Sequence, residues 1–309
     1  KLRLSQPTIL ASLVLALLWL TQGLHIHQQL QQAGALETTQ QRQAQRAAYE
    51  QLYQQWQHQP QPAVSKVQLQ VELFPAEQQA TIAATLTLTN PHPTPITQML
   101  VTLPGSFADQ QALQSIDLDG AQLIPPSIPQ QAEHQQRIYQ FDQPLASGAT
   151  TQLIVNLQLT QHAIATSPMH QVLRSEFSYL RLLHLLPQVG FMPELRLRDA
   201  KTRAEFGLAP LPAAETQPSI LAATVTPASA RYDWAQLETI ISVPQGYQGI
   251  AAGKLIRQWQ QQDRQYFHYQ TSEAVRNLPA VIAVPWQPKQ ANQDGIQLEI
   301  YSPKYNAAT

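Results

Sequence analysis

One long uncharged stretch near the amino end restricts what this chain can fold into more than any other feature. No Asp, Glu, Lys or Arg occurs between Arg3 and Glu37. As a helix, residues 8–26 would be about 28 Å long, close to the roughly 30 Å hydrocarbon thickness of a bilayer. Trp19 near one end and Lys1 beyond the other are typical of interface anchoring and of the positive-inside rule. The pattern predicts a membrane helix.

We predict that residues 1–27 form this transmembrane helix with a short cytoplasmic start, leaving the rest of the chain on the other side of the membrane. A signal peptide is the main alternative, because Ala33-Gly34-Ala35 resembles a small-residue cleavage site. The polar residues 21–32 separate that site from the apolar run by too great a distance for a typical signal. A buried core helix is the third alternative.

A Gln-rich segment, residues 28–62, follows and is predicted to form a helical stalk. Its apolar side chains recur at i, i+3, i+4 and i+7, which is a one-sided helical stripe: Tyr49, Leu52, Tyr53 and Trp56. The stripe indicates that the last turns of the helix lie on the domain that follows. An oligomeric coiled coil would need three or four apolar heptads, and residues 38–45 carry almost none, so a spacer is favoured.

From residue 63 to residue 303 the hydrophobic period changes from 3.6 to 2, which predicts a mainly β domain, an antiparallel β-sandwich or saddle. Strict alternation is clearest in the apolar sets Val67, Leu69, Val71, Leu73 and Leu153, Val155, Leu157, Leu159. Similar segments occur at residues 82–88, 96–103, 137–141, 237–243, 266–269, 281–284 and 296–301. A short helix is expected at residues 199–206, with Asp199 as its cap and Gly207 just past its end.

The composition excludes several function classes. Only 13% of the residues are charged, the net charge is −1, and about 50 residues are Gln. Nucleic-acid binding rests on Lys and Arg that neutralise phosphates, so no nucleic-acid partner is expected. The absence of Cys excludes disulfides, thiolate metal sites and a Cys nucleophile. Because the chain starts at Lys1, we expect a piece of a longer polypeptide, with residues 304–309 opening its next segment.

A search for catalytic patterns gives no catalytic, cofactor-binding or metal-binding residue. None of the nine His residues has another His four positions away, and H-E-x-x-H does not occur. No G-x-S-x-G elbow, phosphate-binding loop or dinucleotide glycine pattern is present. The tightest acidic cluster, residues 117–120, lacks the later ligands of a calcium loop and is predicted to form a hairpin turn.

Several segments nevertheless follow one another in a familiar order. They are AAYEQLY (residues 47–53), VQLQVELFPAE (67–77), YQFDQPLASG (139–148), LLPQVGF (185–191), DAKTRAEFGLAP (199–210) and residues 251–269, which end in QYFHY. In this order and spacing the chain resembles bacterial membrane proteins that join an ABC-2-type transporter permease to an aminopeptidase N-type (gluzincin) zinc metallopeptidase.

The resemblance implies a place for each part of the chain. Residues 1–27 would be the last permease helix and residues 63–303 the N-terminal β-saddle domain. The zinc ligands and the Glu base that activates the metal-bound water would lie in a catalytic domain downstream. The implied partners are the lipid bilayer, that downstream catalytic domain and an ABC ATPase subunit. The implied location is the bacterial inner membrane, with the β domain on the periplasmic or extracellular side.

The resemblance also implies one substrate-binding residue. In such aminopeptidases an acidic or Gln residue of the β domain, about ten positions before an F-P-like step, holds the free amine of the substrate. Leu186-Pro187 is the matching step, and Glu176 lies ten residues before Leu186. A carboxylate facing an ammonium forms a charge-assisted hydrogen bond, so Glu176 is the candidate amine anchor. An exposed Glu without a binding role is the alternative.

Two functions remain open from the sequence. The first is the membrane anchor and β domain of a zinc aminopeptidase fused to a permease, with this chain itself inactive. The second is a non-enzymatic single-pass envelope protein that displays a β module for partner binding or assembly. An adaptor protein of an efflux system would need a long helical hairpin between two β halves, and residues 64–303 show no such pattern.

Overall fold

The computed structural model describes residues 6–32, 38–103, 113–127, 135–161, 171–211 and 233–303. Its helices are α1 (Gln6–Gln32), α2 (Thr39–Tyr53), continued by a 3-10 turn at Gln54–Gln57, and α3 (Ala200–Glu205). The sequence therefore predicted the helical regions correctly. The helical segment predicted as a stalk belongs partly to the end of α1 and partly to α2.

The remaining described chain is mainly strand, which confirms the predicted fold class. The strands are β1 (Ala63–Phe74), β2 (Gln79–Thr89), β3 (Ile96–Thr102), β4 (Leu113–Leu118), β5 (Ala121–Ile124), β6 (Gln136–Leu145), β7 (Thr150–Thr160), β8 (Gln171–Leu173), β9 (Ser178–Arg181), β10 (Gln188–Val189), β11 (Trp234–Pro244), β12 (Gln248–Ala251), β13 (Lys254–Gln261), β14 (Arg264–Gln270), β15 (Val275–Arg276), β16 (Ala280–Val284), β17 (Lys289–Gln293) and β18 (Ile296–Ile300).

A large sheet is the centre of the fold. Its strands follow the order β13-β14-β11-β1-β2-β7-β4, and β15 pairs with the start of β11. All of its pairs are antiparallel except β1 with β11, which are parallel. The sheet is therefore antiparallel, as predicted, apart from this one parallel pair. Local alternation reports which residues face the core but not which distant strand lies alongside.

Two four-stranded sheets cover one face of the large sheet. Their orders are β10-β3-β6-β5 and β12-β16-β9-β8. The inward rows of β1, β2, β7 and β11 form one apolar core with inward side chains of β3, β6, β9 and β16. Burial of apolar side chains at about 25 cal/mol per Å² is the main force holding these layers together. Strands β17 and β18 form a separate hairpin.

Helix α1 lies apart from these layers. Every one of its residues from Leu10 to Ile26 is exposed, so α1 is not a core helix of the described domain. Its span Leu10–Gln31 has 22 residues with a mean hydropathy of 1.5. That length and composition suffice to cross a bilayer, which fits either a membrane anchor or a signal sequence.

Helices α2 and α3 both begin at the caps their sequences supply. Thr38 and Gln41 form a reciprocal capping box, in which the Thr38 hydroxyl accepts from the Gln41 backbone N–H at 3.1 Å. The Asp199 carboxylate accepts from the Thr202 backbone N–H at 2.8 Å, and Gly207 follows the helix with a φ of +69°. The prediction of a short helix capped by Asp199 is confirmed.

Candidate functional site

The candidate amine anchor Glu176 lies in the exposed bend between β8 and β9. The Ser175 hydroxyl donates to a Glu176 carboxylate oxygen at 3.0 Å. The hydroxyl of Tyr247 donates to the Ser175 carbonyl at 2.7 Å, which fixes the bend against the chain before β12. Hydrogen bonds from its own backbone N–H and from Ser175 lower the pKa of Glu176. The carboxylate is therefore ionised at neutral pH and open to solvent, as binding to an ammonium group requires.

An aromatic pair follows this carboxylate in the hairpin. The rings of Phe177 and Tyr179 stack with centroids 6.4 Å apart and planes 17° apart. Phe177 is 36% exposed, so part of its ring is open to solvent at the residue that follows Glu176 in the chain. An anion next to an accessible aromatic ring can hold an ammonium group through charge and through cation–π attraction. The bend thus contains an exposed carboxylate and an exposed aromatic residue, which are two kinds of group that cation sites use.

A second polar cluster, which the sequence did not indicate, lies on the outer face of the large sheet. The Glu238 carboxylate accepts hydrogen bonds from Lys66 at 2.9 Å and from Gln68 at 3.0 Å. Its other oxygen lies 3.1 Å from Nε2 of His268. The hydrogen bond from Lys66, supported by Gln68 and His268, lowers the pKa of Glu238. We name Lys66, Gln68, Glu238 and His268 the outer-face cluster.

The other histidines are dispersed. His25 contacts Gln29 on α1 and His92 contacts the Gln61 carbonyl, while His184 lies in the short turn after β9. His134, His162 and His170 lie outside the described residues. Among the residues that the structure describes, no three His, Asp or Glu side chains come together as a metal site. The described His, Asp and Glu side chains are too dispersed to hold a zinc ion, and no catalytic step is assigned to them.

The stalk helix α2 is bound to the β domain by a buried contact, which we name the stalk interface. The Tyr49 ring stacks on Phe191 with centroids 5.2 Å apart, and its hydroxyl accepts from the Met192 backbone N–H at 2.7 Å. Tyr53 and Trp56 are buried with them. Burial raises the pKa of Tyr49, so the hydroxyl stays protonated. The predicted contact between the last turns of the stalk helix and the β domain is therefore confirmed.

An ion pair completes the stalk interface. Two guanidinium nitrogens of Arg203 on α3 donate to the two carboxylate oxygens of Glu50 on α2, at 2.7 and 2.8 Å. Arg203 also donates to the carbonyls of Leu197 and Ala209, each at 2.7 Å. The side chains of Arg203 and Glu50 are only 3% and 1% exposed. Buried bidentate pairs are geometrically specific, so this pair fixes how α2 lies on the domain.

Comparisons with known proteins give structural matches of low similarity. No protein-family profile and no curated protein matches the chain significantly. An M1 zinc metallopeptidase from Deinococcus radiodurans is 15% identical, and the match covers 76% of this chain and 44% of the other, with a TM-score of 0.45. A mutant M1 zinc metallopeptidase from the same organism, bound to a Tyr-Ser-Ala substrate, matches at 15% identity over 77% of this chain and 46% of the other, with a TM-score of 0.45. The chain spans less than half the length of these structures.

Proposed function

We propose that this chain is the membrane anchor and N-terminal β domain of a membrane-bound zinc aminopeptidase, fused on its amino side to an ABC-2-type transporter permease. The catalytic zinc and its ligands belong to a downstream domain of the same polypeptide. The role of this chain is to hold that domain at the membrane and to contribute one substrate contact.

One observation carries the proposal: segments of the family resemblance that are far apart in sequence meet at the stalk interface. Tyr49 and Glu50 come from AAYEQLY, Phe191 from LLPQVGF and Arg203 from DAKTRAEFGLAP. The Tyr49–Phe191 stack and the Glu50–Arg203 pair join these three segments in one buried contact. Chance similarities scattered over a chain would not be expected to converge in space. Their convergence supports the interpretation that these segments belong to one structural unit.

The β17–β18 hairpin supports the proposed downstream partner. Ile296, Leu298 and Ile300 lie on one face of β18 and are 63%, 43% and 62% exposed. The alternate residues Gln297 and Glu299 form the polar face. An uncovered apolar row on a single hairpin is unfavourable in water and marks a contact surface. We propose that the downstream catalytic domain covers it.

Membrane orientation is part of the same proposal. Lys1 and Arg3 precede the apolar span and Glu37 follows it, and positive charges concentrate on the cytoplasmic side. The β domain would then face the periplasm or the cell exterior of a bacterial inner membrane. The lipid bilayer contacts α1, and an ABC ATPase subunit would bind the permease part on the cytoplasmic side.

The proposed role of Glu176 is tested in the full-length protein. A hydrogen bond between charged groups contributes about 1.5–3 kcal/mol, so Glu176→Ala should raise the KM for peptides with a free α-amine by roughly 10- to 100-fold. The KM of Glu176→Gln should lie between the KM of the parent protein and that of Glu176→Ala. Glu273→Ala, an exposed Glu elsewhere in the domain, serves as the matched control. An unchanged KM in Glu176→Ala would end the assignment of this residue.

A further inference from the structure

The face of the large sheet that points away from the core is open and rich in amides. Strand register places Gln68 of β1 between Glu238 of β11 and Thr85 of β2, and Thr85 beside Ile154 of β7. In the neighbouring row, Ala83 of β2 is flanked by longer side chains on β1 and β7. Side chains of alternate residues share a face, so these two rows form one continuous surface.

A recess opens over Ala83, because its methyl group is shorter than the side chains around it. The recess has a volume of about 260 Å³. Its side-chain walls are Gln68, Gln70, Thr85, Ile154, Glu238 and Ile240. This volume is slightly below the roughly 300–1,000 Å³ of small-molecule pockets, and it fits one or two units of a larger ligand.

The electrostatics of the recess favour a neutral ligand. Glu238 is the acidic group in its wall, and Lys66 neutralises it at 2.9 Å. Because Gln68 and His268 also bind this carboxylate, its position is fixed before any ligand arrives.

Two groups of the recess remain available for hydrogen bonds. Among the described residues, neither the Gln70 amide nor the Thr85 hydroxyl has a side-chain partner. Ile154, which is 38% exposed, and Ile240 add aliphatic surface on either side. Amide and hydroxyl groups next to aliphatic carbon match a sugar ring, which offers hydroxyls at its rim and C–H groups on its faces. A charged ligand would gain no ion pair in the recess, because Glu238 is already paired with Lys66.

We propose that this recess binds one or two units of a neutral oligosaccharide. The Gln70 amide and the Thr85 hydroxyl would bind the sugar hydroxyl or acetamido groups, and Ile154 and Ile240 would pack against the ring. The outer-face cluster holds Gln68 in place at the wall. The site is separate from Glu176 and does not depend on peptidase activity.

Titration calorimetry of the full chain in lipid nanodiscs tests the proposal, with chitotetraose and maltotetraose as probes. We expect at least one of them to bind with a Kd of about 1 mM or below. Ala83→Leu fills the recess and should weaken binding at least about tenfold. Gln70→Ala removes one hydrogen-bonding group without adding bulk and should also weaken it.

Gln158→Ala is the matched control, because Gln158 is an exposed amide on the same face but outside the recess. It should leave the affinity unchanged. The proposal is overturned if neither tetrasaccharide binds, or if binding is the same in Ala83→Leu and Gln70→Ala as in the parent chain. Binding of tetra-alanine in place of both sugars, lost in Ala83→Leu, would show a peptide site and would also overturn it.

Discussion

Breaking the buried ion pair of the stalk interface should destabilise the β domain strongly. In Glu50→Gln the carboxylate is lost while the Arg203 guanidinium, 3% exposed, stays buried without its counter-charge. Removing one partner of a buried pair costs about 3–5 kcal/mol. A domain of this size loses about 2–4 °C of Tm per kcal/mol, so the melting temperature should fall by roughly 6–20 °C. Thermal unfolding of the full chain in detergent, followed by far-UV circular dichroism, measures this shift.

Two further variants separate the contribution of the ion pair to stability from the general effect of replacing a Glu side chain. Glu205→Gln makes the same chemical change at an exposed position of α3 and should alter stability by less than about 0.5 kcal/mol. The double variant Glu50→Leu/Arg203→Met should recover part of the loss, since it leaves no unpaired charge. Recovery stays incomplete because the carbonyls of Leu197 and Ala209 lose their donor. A shift below about 2 °C in Glu50→Gln would show that the pair is not buried as described.

Three other predictions concern the β domain. Burial raises the pKa of Asp233 to about 6 against 3.8 for the free group, so stability should decrease as pH rises from about 4 to 6 and then level off. Asp233→Asn should remove this pH dependence in denaturant titrations and should gain up to about 3 kcal/mol of stability at pH 8. A pH profile that is the same in Asp233→Asn as in the parent chain would contradict this prediction. Gly253 has a φ of +103°, and an added Cβ would lie 2.5 Å from the backbone of Gln270 in β14, whereas Gly120, at a φ of +67°, has open space. Gly120→Ala should cost about 1–2 kcal/mol of stability, and Gly253→Ala should cost well beyond that. Equal effects on the free energy of unfolding would be inconsistent with this close approach. In the full-length protein, Leu298→Asp should expose the segment after the β17–β18 hairpin to limited proteolysis, while Gln297→Asp on the opposite face of β18 should not. Equal cleavage of the two variants would argue against the apolar row of β18 as a contact between domains.

The sequence predicted those parts of the fold that depend on local periodicity. β1 and β7 have strict alternation because one face of each is buried and the other meets water. β13 was missed because it is an edge strand with nearly every side chain exposed, so no alternation is visible. The parallel pairing of β1 with β11 was missed for a different reason: the two strands are about 170 residues apart, and no local pattern encodes such a contact.

The polar sites also depend on contacts between residues far apart in sequence, which no local pattern encodes. The sequence indicated that α2 would contact the domain through its aromatic stripe, but it gave no sign that Glu50 would be paired with Arg203, 153 residues away. The outer-face cluster joins side chains from β1, β11 and β14, and it becomes visible only when the strand register is known. Glu176 follows from a resemblance alone, and its role stays a prediction.

The most direct test of the central claim is to identify the natural polypeptide that carries this domain. An antibody against the β domain would isolate it from bacterial membranes, and tryptic mass spectrometry would map its sequence. We expect one polypeptide in which these strands are followed by an H-E-x-x-H segment and preceded by further membrane helices. A polypeptide that lacks H-E-x-x-H after the β17–β18 hairpin would contradict it.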